Sequence, residues 1–472
     1  MTEWSNIRSN TQFWDDFARC YFLPFAKRSR WFAGKTRSPH GASVRHILEW
    51  SVHTCQLLIV DVYYEDESES YFLPLGFLPS KPDDLSENAC IIEITRSNGD
   101  HALLIDAVYD ESFRRALFNH FIIGTNDKSL SITRFEDFDD FYQSSDILST
   151  DSTNSLMVFN DKYLFKLYRK LTTGQNLEVE MLTFIGKSED FSNHIPTCLG
   201  SIDWSDQQGS TMVLVLVQKF IPKAYDCWSM VTSLINEPSS QHVLIEKVAL
   251  LGRRTAEMHL NLYKLECSNI NFVPEIFTQE YCQLMTQHLA DKLEQCYSQL
   301  ETCSLSLAKD VLNSKVILSN FLAAFQSRSF QSCRIRVHGD FHLGQVLFSS
   351  LYDDFIIVDF EGEPTNTIVE RHLKHSPLKD VAGMLRSFHY AAITTKSQCF
   401  QYICDIFLHS FLKHSAAMWK DAYEVDDILL FHLLERVVHE AVYEMNYRPN
   451  WVNIPLCGFV DIISKIEKRQ KT

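Results

Sequence analysis

The sequence predicts an α+β protein built from more than one globular unit, and three observations predict it. At 472 residues the chain exceeds the length at which a single hydrophobic core stops growing. Its first half reads as short strands separated by polar turns. Beyond Pro222 the apolar residues recur every three or four positions, the period of helices packed on one face, with one strand-like interruption.

Taken in order, a helix is expected first, before strands at 44–48, 56–64, 70–75 and 89–96. A second helix is expected at 110–120. The acidic stretch 136–146 then leads to strands at 156–159 and 163–168, a helical segment from about 176 to 186, and the apolar strand 212–220. Helical periodicity fills 243–262, 279–305, 308–325, 381–392, 402–418 and 428–445, and the exception is the strand-like 335–359. No internal repeat is visible.

Composition narrows the function classes. Hydrophobic residues make up 45% and charged residues 22%, enough apolar supply for several cores. Sixty acidic against 44 basic residues leave a formal charge of −16, which argues against nucleic acid or an anionic membrane as partner. The thirteen cysteines include no C-x-x-C pair, so neither a zinc finger nor a disulfide framework is read. The apolar runs are strand-length and the N-terminus lacks an apolar signal region, so a cytoplasmic, soluble chain is expected.

The strongest chemical signal is Val337-His338-Gly339-Asp340-Phe341-His342-Leu343-Gly344-Gln345, followed by two short apolar runs and then Asp359-Phe360-Glu361-Gly362-Glu363. Pairing the two runs antiparallel about Tyr352 sets Val346 against Val358 and Gln345 against Asp359. Opposed residues have Cβ atoms about 4.5–5.5 Å apart, close enough for two oxygen ligands to share one Mg2+. Asp340 lies in the loop at the same end of the hairpin, where a base could meet a substrate hydroxyl. Phosphoryl transfer needs these parts, a carboxylate to orient the attacking hydroxyl and a metal to neutralise phosphate charge.

The nucleotide side is less explicit. No G-x-x-x-x-G-K-[ST] occurs, and there is no glycine between Gly124 and Gly174, which excludes a P-loop NTPase and a glycine-rich lid. Ser152-Thr153-Asn154-Ser155 offers hydroxyl and amide donors to phosphate oxygens, although by itself such a tetrapeptide also reads as a plain turn. Lys166 alternates with Phe165 and Leu167 in a strand, so it must reach a partner or point into a cleft. On the next helix Glu180 falls beside the inner face marked by Leu177, Met181 and Phe184, with Glu178 on the other flank. Helical phase leaves both glutamates open as the partner of Lys166.

With these pieces in place the chain resembles the maltokinases, a branch of the aminoglycoside-phosphotransferase-like kinases. Arg30-Trp31-Phe32-Ala33-Gly34-Lys35 is similar to the signature of that family's N-terminal cap. The block 152–170 with Gly174-Gln175-Asn176 is similar to its phosphate loop and lysine strand, and the alignment selects Glu180 over Glu178. The extensions His342-Leu343-Gly344-Gln345 and Asp359–Pro364, with Ser376-Pro377-Leu378-Lys379-Asp380, are the most specific matches. Two departures stand out: Asn160 sits where the family has a turn glycine, and Leu156 replaces a small hydroxyl residue.

The resemblance implies a bilobal protein-kinase-like fold with a β-rich N-lobe, a mainly helical C-lobe and an additional N-terminal cap domain. Its expected bounds are 1–108 for the cap, 109–219 for the N-lobe and 220–472 for the C-lobe. It implies Asp340 as catalytic base, Gln345, Asp359 and Glu361 at Mg2+, and Ser152, Thr153, Asn154, Ser155, Lys166 and Glu180 at ATP. His342, Tyr443, Glu444, Arg448 and Trp451 are the implied sugar contacts, a composition that suits a pyranose because its C–H face packs on rings while its hydroxyls need polar partners. The implied reaction transfers the γ-phosphate of ATP to the anomeric hydroxyl of maltose, giving maltose 1-phosphate, with a trehalose synthase as an associated protein. The alternatives are a kinase of the same fold acting on an aminosugar, an aminoglycoside or choline, and a non-catalytic partner of trehalose synthase.

Overall fold

The computed structural model describes residues 10–35, 37–48, 54–83, 85–95, 101–124, 130–148, 153–206, 208–264 and 269–470, with single positions 4, 7 and 50. The chain divides into two compact units, one of Met1–Thr183 with Pro196–Pro222, the other of Phe184–Ile195 with Lys223–Thr472.

The first unit opens with helices α1 (Thr11–Phe17) and α2 (Leu23–Arg28). Strands β1 (Gly41–Leu48), β2 (Cys55–Tyr63), β3 (Ser68–Leu78), β4 (Cys90–Thr95) and β5 (His101–Asp106) follow. They form an antiparallel sheet in the order β1-β2-β3-β5-β4. β2 and β3 turn Leu58, Val60, Val62, Tyr71, Leu73 and Leu75 toward the aromatic residues of α1 and α2, and all six are fully buried. That alternation makes the two amphipathic helices cover one face of the sheet.

Helix α3 (Glu111–Ile123) starts at Asp110, whose carboxylate accepts the Ser112 amide at 2.9 Å. Then come β6 (Leu130–Arg134), β7 (Ser145–Ile147), β8 (Ser155–Phe159), β9 (Tyr163–Leu167) and β10 (Lys170–Leu171). Helix α4 (Leu177–Ile185) precedes β11 (Cys198–Ser205) and β12 (Thr211–Lys219). The second sheet runs β6-β11-β12-β9-β8-β7, while β10 pairs with β3 of the first sheet. The β8–β9 turn takes Asn160 and Asp161 to φ of +53° and +51°, the left-handed pair of a tight hairpin. Asn160 tolerates that conformation because its side chain is spent locally: Oδ1 accepts from the amides of Gln143 and Ser144, and Nδ2 donates to the Phe141 carbonyl. This explains why an asparagine serves where the resembled family has glycine.

The second unit is mainly helical. Strand β13 (Ala224–Asp226) leads into α5 (Cys227–Asn236), α6 (Gln241–Leu262), β14 (Glu275–Ile276), α7 (Gln279–Leu300), α8 (Ser306–Asn313) and α9 (Lys315–Gln326). Then follow β15 (Cys333–Arg334), β16 (Val346–Ser349), β17 (Asp354–Ile357), α10 (Ile368–His372), α11 (Leu378–Thr394), α12 (Phe400–His414), α13 (Ala422–Tyr447) and α14 (Asn453–Gln470). β13, β16 and β17 make one small antiparallel sheet. Among the described residues, no helix is long and apolar enough to cross a membrane.

Three expectations need correction. Most of 335–359 is loop, and only β16 and β17 are strands, because the backbone around Asp340 bonds to side chains instead of a ladder. The hairpin register is Val346↔Ile357, so Val346 does not face Val358. The turn holds four residues between Ser349 and Asp354, and Asp353 takes φ of +52°. Finally, β5, β6 and β11 were not among the expected strands.

Candidate active site

The loop around Asp340 is built on a buried carboxylate. Asp380, in the first turn of α11, accepts the amide of His338 at 2.8 Å and that of Gly339 at 2.9 Å. His259 of α6 donates its Nε2–H to the same carboxylate at 2.9 Å. Burial alone would raise the Asp380 pKa, but the hydrogen bond and charge of His259 outweigh it and hold the group below its usual range. His338 donates Nε2–H to the Val358 carbonyl at 2.9 Å, and the Leu343 amide donates to Ser387 Oγ at 3.1 Å. The loop is thereby tied to α11 on one side and to the end of β17 on the other.

Glycines allow the close approach. Gly339 has φ of +85°, and a Cβ there would sit 3.2 Å from the Cα of Gly362, itself at φ of +73°. On α11, a Cβ at Gly383 would stand 2.5 Å from the Phe341 carbonyl oxygen.

Asp340 emerges half-buried from this loop. Arg436 of α13 donates Nη2–H to Asp340 Oδ1 at 3.2 Å, and His342 Nε2 lies 3.7 Å from Oδ2. The Gly344 amide donates to His342 Nδ1 at 3.0 Å, which leaves the ring proton on Nε2, facing Asp340. Burial pushes the Asp340 pKa up, but the hydrogen bond and charge of His342, then the charge of Arg436, push it far below the usual carboxylate range. The group is a carboxylate at every physiological pH. His342 is thus placed on Asp340 itself.

Gln345 and Asp359 come together despite the shifted register. The Val358 amide donates to the Gln345 carbonyl at 3.0 Å, and Gln345 Nε2 donates to Asp359 Oδ2 at 2.9 Å. Asp359 sits at φ of +67°, a conformation that non-glycine residues seldom adopt and that turns its carboxylate out of the strand direction. A carboxamide and a carboxylate at one point are the oxygen donors a hard divalent cation takes. Glu361 lies two residues on and is half-buried.

In the first unit Lys166 stands in the central strand β9, paired to Leu156 on one side and Leu216 on the other. Its neighbours Phe165 and Leu167 are fully buried on the opposite face, so the lysine points toward α4. There Lys166 Nζ meets Glu178 at 2.7 Å, and the Tyr168 hydroxyl and Gln218 donate to the same carboxylate at 2.8 and 3.4 Å. Lys166 pairs with Glu178, on which three donors converge; the sequence reading named Glu180 at the nucleotide. Glu180 is itself 5% exposed.

Ser152 lies outside the described residues. Thr153 is exposed, Asn154 Oδ1 accepts the Arg169 amide at 3.3 Å, and Ser155 Oγ accepts Arg169 Nε–H at 2.8 Å. The Arg169 guanidinium is also paired with Asp106 at 2.5 Å, both side chains 1% exposed. Ser155 accepts that bond, so its own hydroxyl proton is still available to an anion.

The C-terminal cluster forms on α13 and the turn after it. Arg448 lies over the Tyr443 ring at 5.2 Å and the Trp451 ring at 5.4 Å, while Trp451 stacks on Tyr390 at 6.2 Å. Glu444 is buried, accepting from Tyr390 at 3.1 Å and Arg448 at 2.8 Å, and its Oε2 is buried without a partner. Tyr443, Arg448 and Trp451 thus share one surface, and Glu444 supports it from inside. Side-chain contacts along α13 connect this surface to the Asp340 loop: Arg436 bonds Asp340 and Glu363, His439 approaches Glu363 at 3.6 Å, and His439 stacks on Tyr443.

Sequence reasoning missed Arg436, His439, Tyr390 and the roles of Glu363 and Asp380. Arg436 and His439 stand seven and four residues before Tyr443, one face of one helix, which is the signal that could have found them.

Comparison with known proteins follows from this geometry. Residues 25–110 match the maltokinase N-terminal cap domain. The glucosamine kinase of Streptacidiphilus jiangxiensis is 26% identical over 141 residues, covering 27% of this chain and 32% of that enzyme. The glucosamine kinase of Mycolicibacterium smegmatis is 21% identical over 328 residues, covering 65% of this chain and 77% of that enzyme. The chain therefore spans about a third of the first relative and about three quarters of the second. Among solved structures, a glucosamine kinase in complex with glucosamine, ADP and inorganic phosphate superposes with a TM-score of 0.63 at 15% identity, over 93% of this chain and 98% of that one. A second crystal form of a glucosamine kinase gives 0.62 over 90% and 92%. Residues 25–110 are thus similar to a maltokinase N-terminal cap domain, and the chain shares the fold of the glucosamine kinases.

Proposed function

We propose that the chain is an ATP- and Mg2+-dependent sugar kinase that phosphorylates the anomeric hydroxyl of maltose, releasing maltose 1-phosphate and ADP. The observation that carries the reading is Asp340, an ionised carboxylate on a loop locked by Asp380, beside the Gln345–Asp359 pair. Asp340 accepts a hydrogen bond from the sugar hydroxyl, aims its oxygen at the γ-phosphorus and takes the proton as the new O–P bond forms. Lys166, held by Glu178, supplies positive charge to the nucleotide phosphates, and Ser155 supplies a hydroxyl donor.

Gln345 and Asp359, with Glu361, would hold Mg2+: the side chains of Gln345 and Asp359 already meet, through Gln345 Nε2–H and Asp359 Oδ2, and the amide and carboxylate oxygens are donors such an ion takes. When bound, the metal neutralises charge on the transferring phosphoryl group. Tyr443, Arg448 and Trp451 offer rings and a cation to the sugar beyond the reacting hydroxyl.

The choice of maltose is supported by the cap-domain match over 25–110. A second reading, glucosamine as acceptor, is favoured by the names of the two relatives described above. An ADP-release assay with Mg-ATP and maltose, glucose, glucosamine or kanamycin separates them. Maltose-dependent turnover is expected. Turnover with glucosamine alone would replace the acceptor, and no turnover in a chain that still binds ATP would favour a non-catalytic partner of trehalose synthase.

The electrostatics of Asp340 carry a pH prediction. With His342 and Arg436 holding its pKa down, activity should persist as pH falls through the ordinary carboxylate range. In Arg436→Met the carboxylate protonates sooner, so the acid limb of kcat should move to higher pH by about one unit. An unmoved limb would show that Arg436 does not act on the base.

A further inference from the structure

Within the first unit the chain passes from the second sheet to the first between β9 and β10, and one residue there bonds to both. Tyr168 still serves Glu178. The Arg169 carbonyl already accepts the Phe72 amide of β3 at 2.8 Å, and Lys170 reaches Glu69 of β3 at 2.6 Å. The Arg169 side chain is 1% exposed. Its guanidinium pairs through Nη2 with Asp106, at the end of β5, and donates through Nε to Ser155 Oγ, at the start of β8, at 2.8 Å. Its backbone amide donates to Asn154 Oδ1 at 3.3 Å. Trp31 covers the guanidinium, whose carbon lies 5.0 Å from the ring centroid.

The segment Arg30–Lys35 serves the same cluster. Trp31 supplies the ring over Arg169, and Gly34 lets the Tyr64 hydroxyl approach, because a Cβ there would collide with that oxygen. The Tyr64 and Tyr71 hydroxyls donate to the Glu69 carboxylate at 3.2 and 2.6 Å, and the same carboxylate takes Lys170. Arg169 and Lys170 thus both end on acids of the region 25–110. In stability a buried ion pair is often no better than two apolar residues of the same volume. What an apolar pair cannot do is hold Ser155 Oγ. Arginine suits the position because its planar fork addresses two acceptors at once.

We infer that Arg169 is a positioning residue for the nucleotide, through which Asp106 and Trp31 set the donors that meet the ATP phosphates. The inference rests on the kinase reading of Ser155 and Asn154, and deepens it by making the cap region part of nucleotide binding. Being buried, the guanidinium acts on ATP only through those two side chains. A hydroxyl oxygen that accepts from a cation is polarised, so the Ser155 proton becomes a stronger donor to a phosphate oxygen. The Arg169 amide likewise holds the Asn154 carboxamide by its oxygen, which decides where its NH2 donors point. Asp106 in turn fixes the guanidinium, and Trp31 closes its open face.

The test measures Mg-ATP affinity of the full-length chain by titration calorimetry, without sugar, in a double-mutant cycle. Arg169→Lys keeps a cation for Asp106 but cannot also reach Ser155. The pair Arg169→Met with Asp106→Leu removes both charges together, so the fold is kept while the Ser155 contact is lost. Each, and Ser155→Ala alone, should weaken Mg-ATP binding about ten-fold. Either Arg169 change made on top of Ser155→Ala should weaken it no further, an outcome that a merely structural role would not produce. Wild-type affinity in both Arg169 variants, or losses that add in full to that of Ser155→Ala, would overturn the inference. Failure of both Arg169 variants to fold would make the residue a support of the fold and overturn it too. A wild-type chain that binds no Mg-ATP would remove the kinase reading and this inference with it. Binding that follows the cycle without maltose-dependent ADP release would keep the role of Arg169 and discard maltose as acceptor.

Discussion

Asp340→Asn is expected to lower kcat by about 10²- to 10⁴-fold, the usual contribution of a general base. The substitution preserves shape: its amide oxygen can still accept from Arg436, and Arg436 keeps its second anchor on Glu363 at 3.0 Å. What is lost is the negative charge that draws the acceptor proton. The loop itself hangs on Asp380 and Ser387, so its conformation survives the change. Steady-state ADP release should therefore show a collapsed kcat with little change in the KM for ATP, and an unaltered melting midpoint. A variant retaining a tenth or more of wild-type kcat would remove Asp340 from the reaction.

Asp380→Ala should destabilise the second unit by about 3–5 kcal/mol, the cost of breaking a buried charged pair from one side. Its carboxylate is 1% exposed and receives two loop amides and the His259 imidazole. Alanine strands all three donors away from water. Asp380→Asn, keeping one acceptor oxygen, should fall between alanine and wild type. The depressed pKa adds a pH signature. The stabilisation from the ionised form is complete above the ordinary carboxylate range and is lost only as pH falls through the lowered folded-state value. Urea unfolding at neutral pH and at about pH 4 checks both: the Ala variant should trail wild type at either pH. Equal midpoints would mean that the loop is held by other contacts.

Much of the candidate site was legible because its residues cluster in short blocks. Asp340, Gln345 and Asp359 lie within twenty positions, and one hairpin brings them together. The predicted register was one residue off, yet Gln345 still reached Asp359. The left-handed backbone at Asp359 makes up the difference, and periodicity carries no information about such a residue. The Lys166–Glu178 pair was not legible for another reason. Helical phase put Glu178 and Glu180 both beside the inner face, and only the positions of Lys166, Tyr168 and Gln218 in the fold bring three donors to Glu178. Ser155 and Asn154 were read as phosphate donors or as a plain turn, and the fold shows their oxygens also holding Arg169, which is itself tied to Asp106 some sixty residues earlier in the chain.

The amino-acid sequence alone determined the class of the fold, the strand carrying Lys166, and the loop and strand end that carry Asp340, Gln345 and Asp359. These follow from local period, from residue chemistry and from short spacing, which act within a few neighbours. Only the tertiary structure decided that Asp380 anchors the loop and that Arg436 joins in holding Asp340 ionised. Those facts depend on groups 40 to nearly 100 residues apart meeting where water is excluded. There the worth of each charge is set by which neighbours remain to satisfy it.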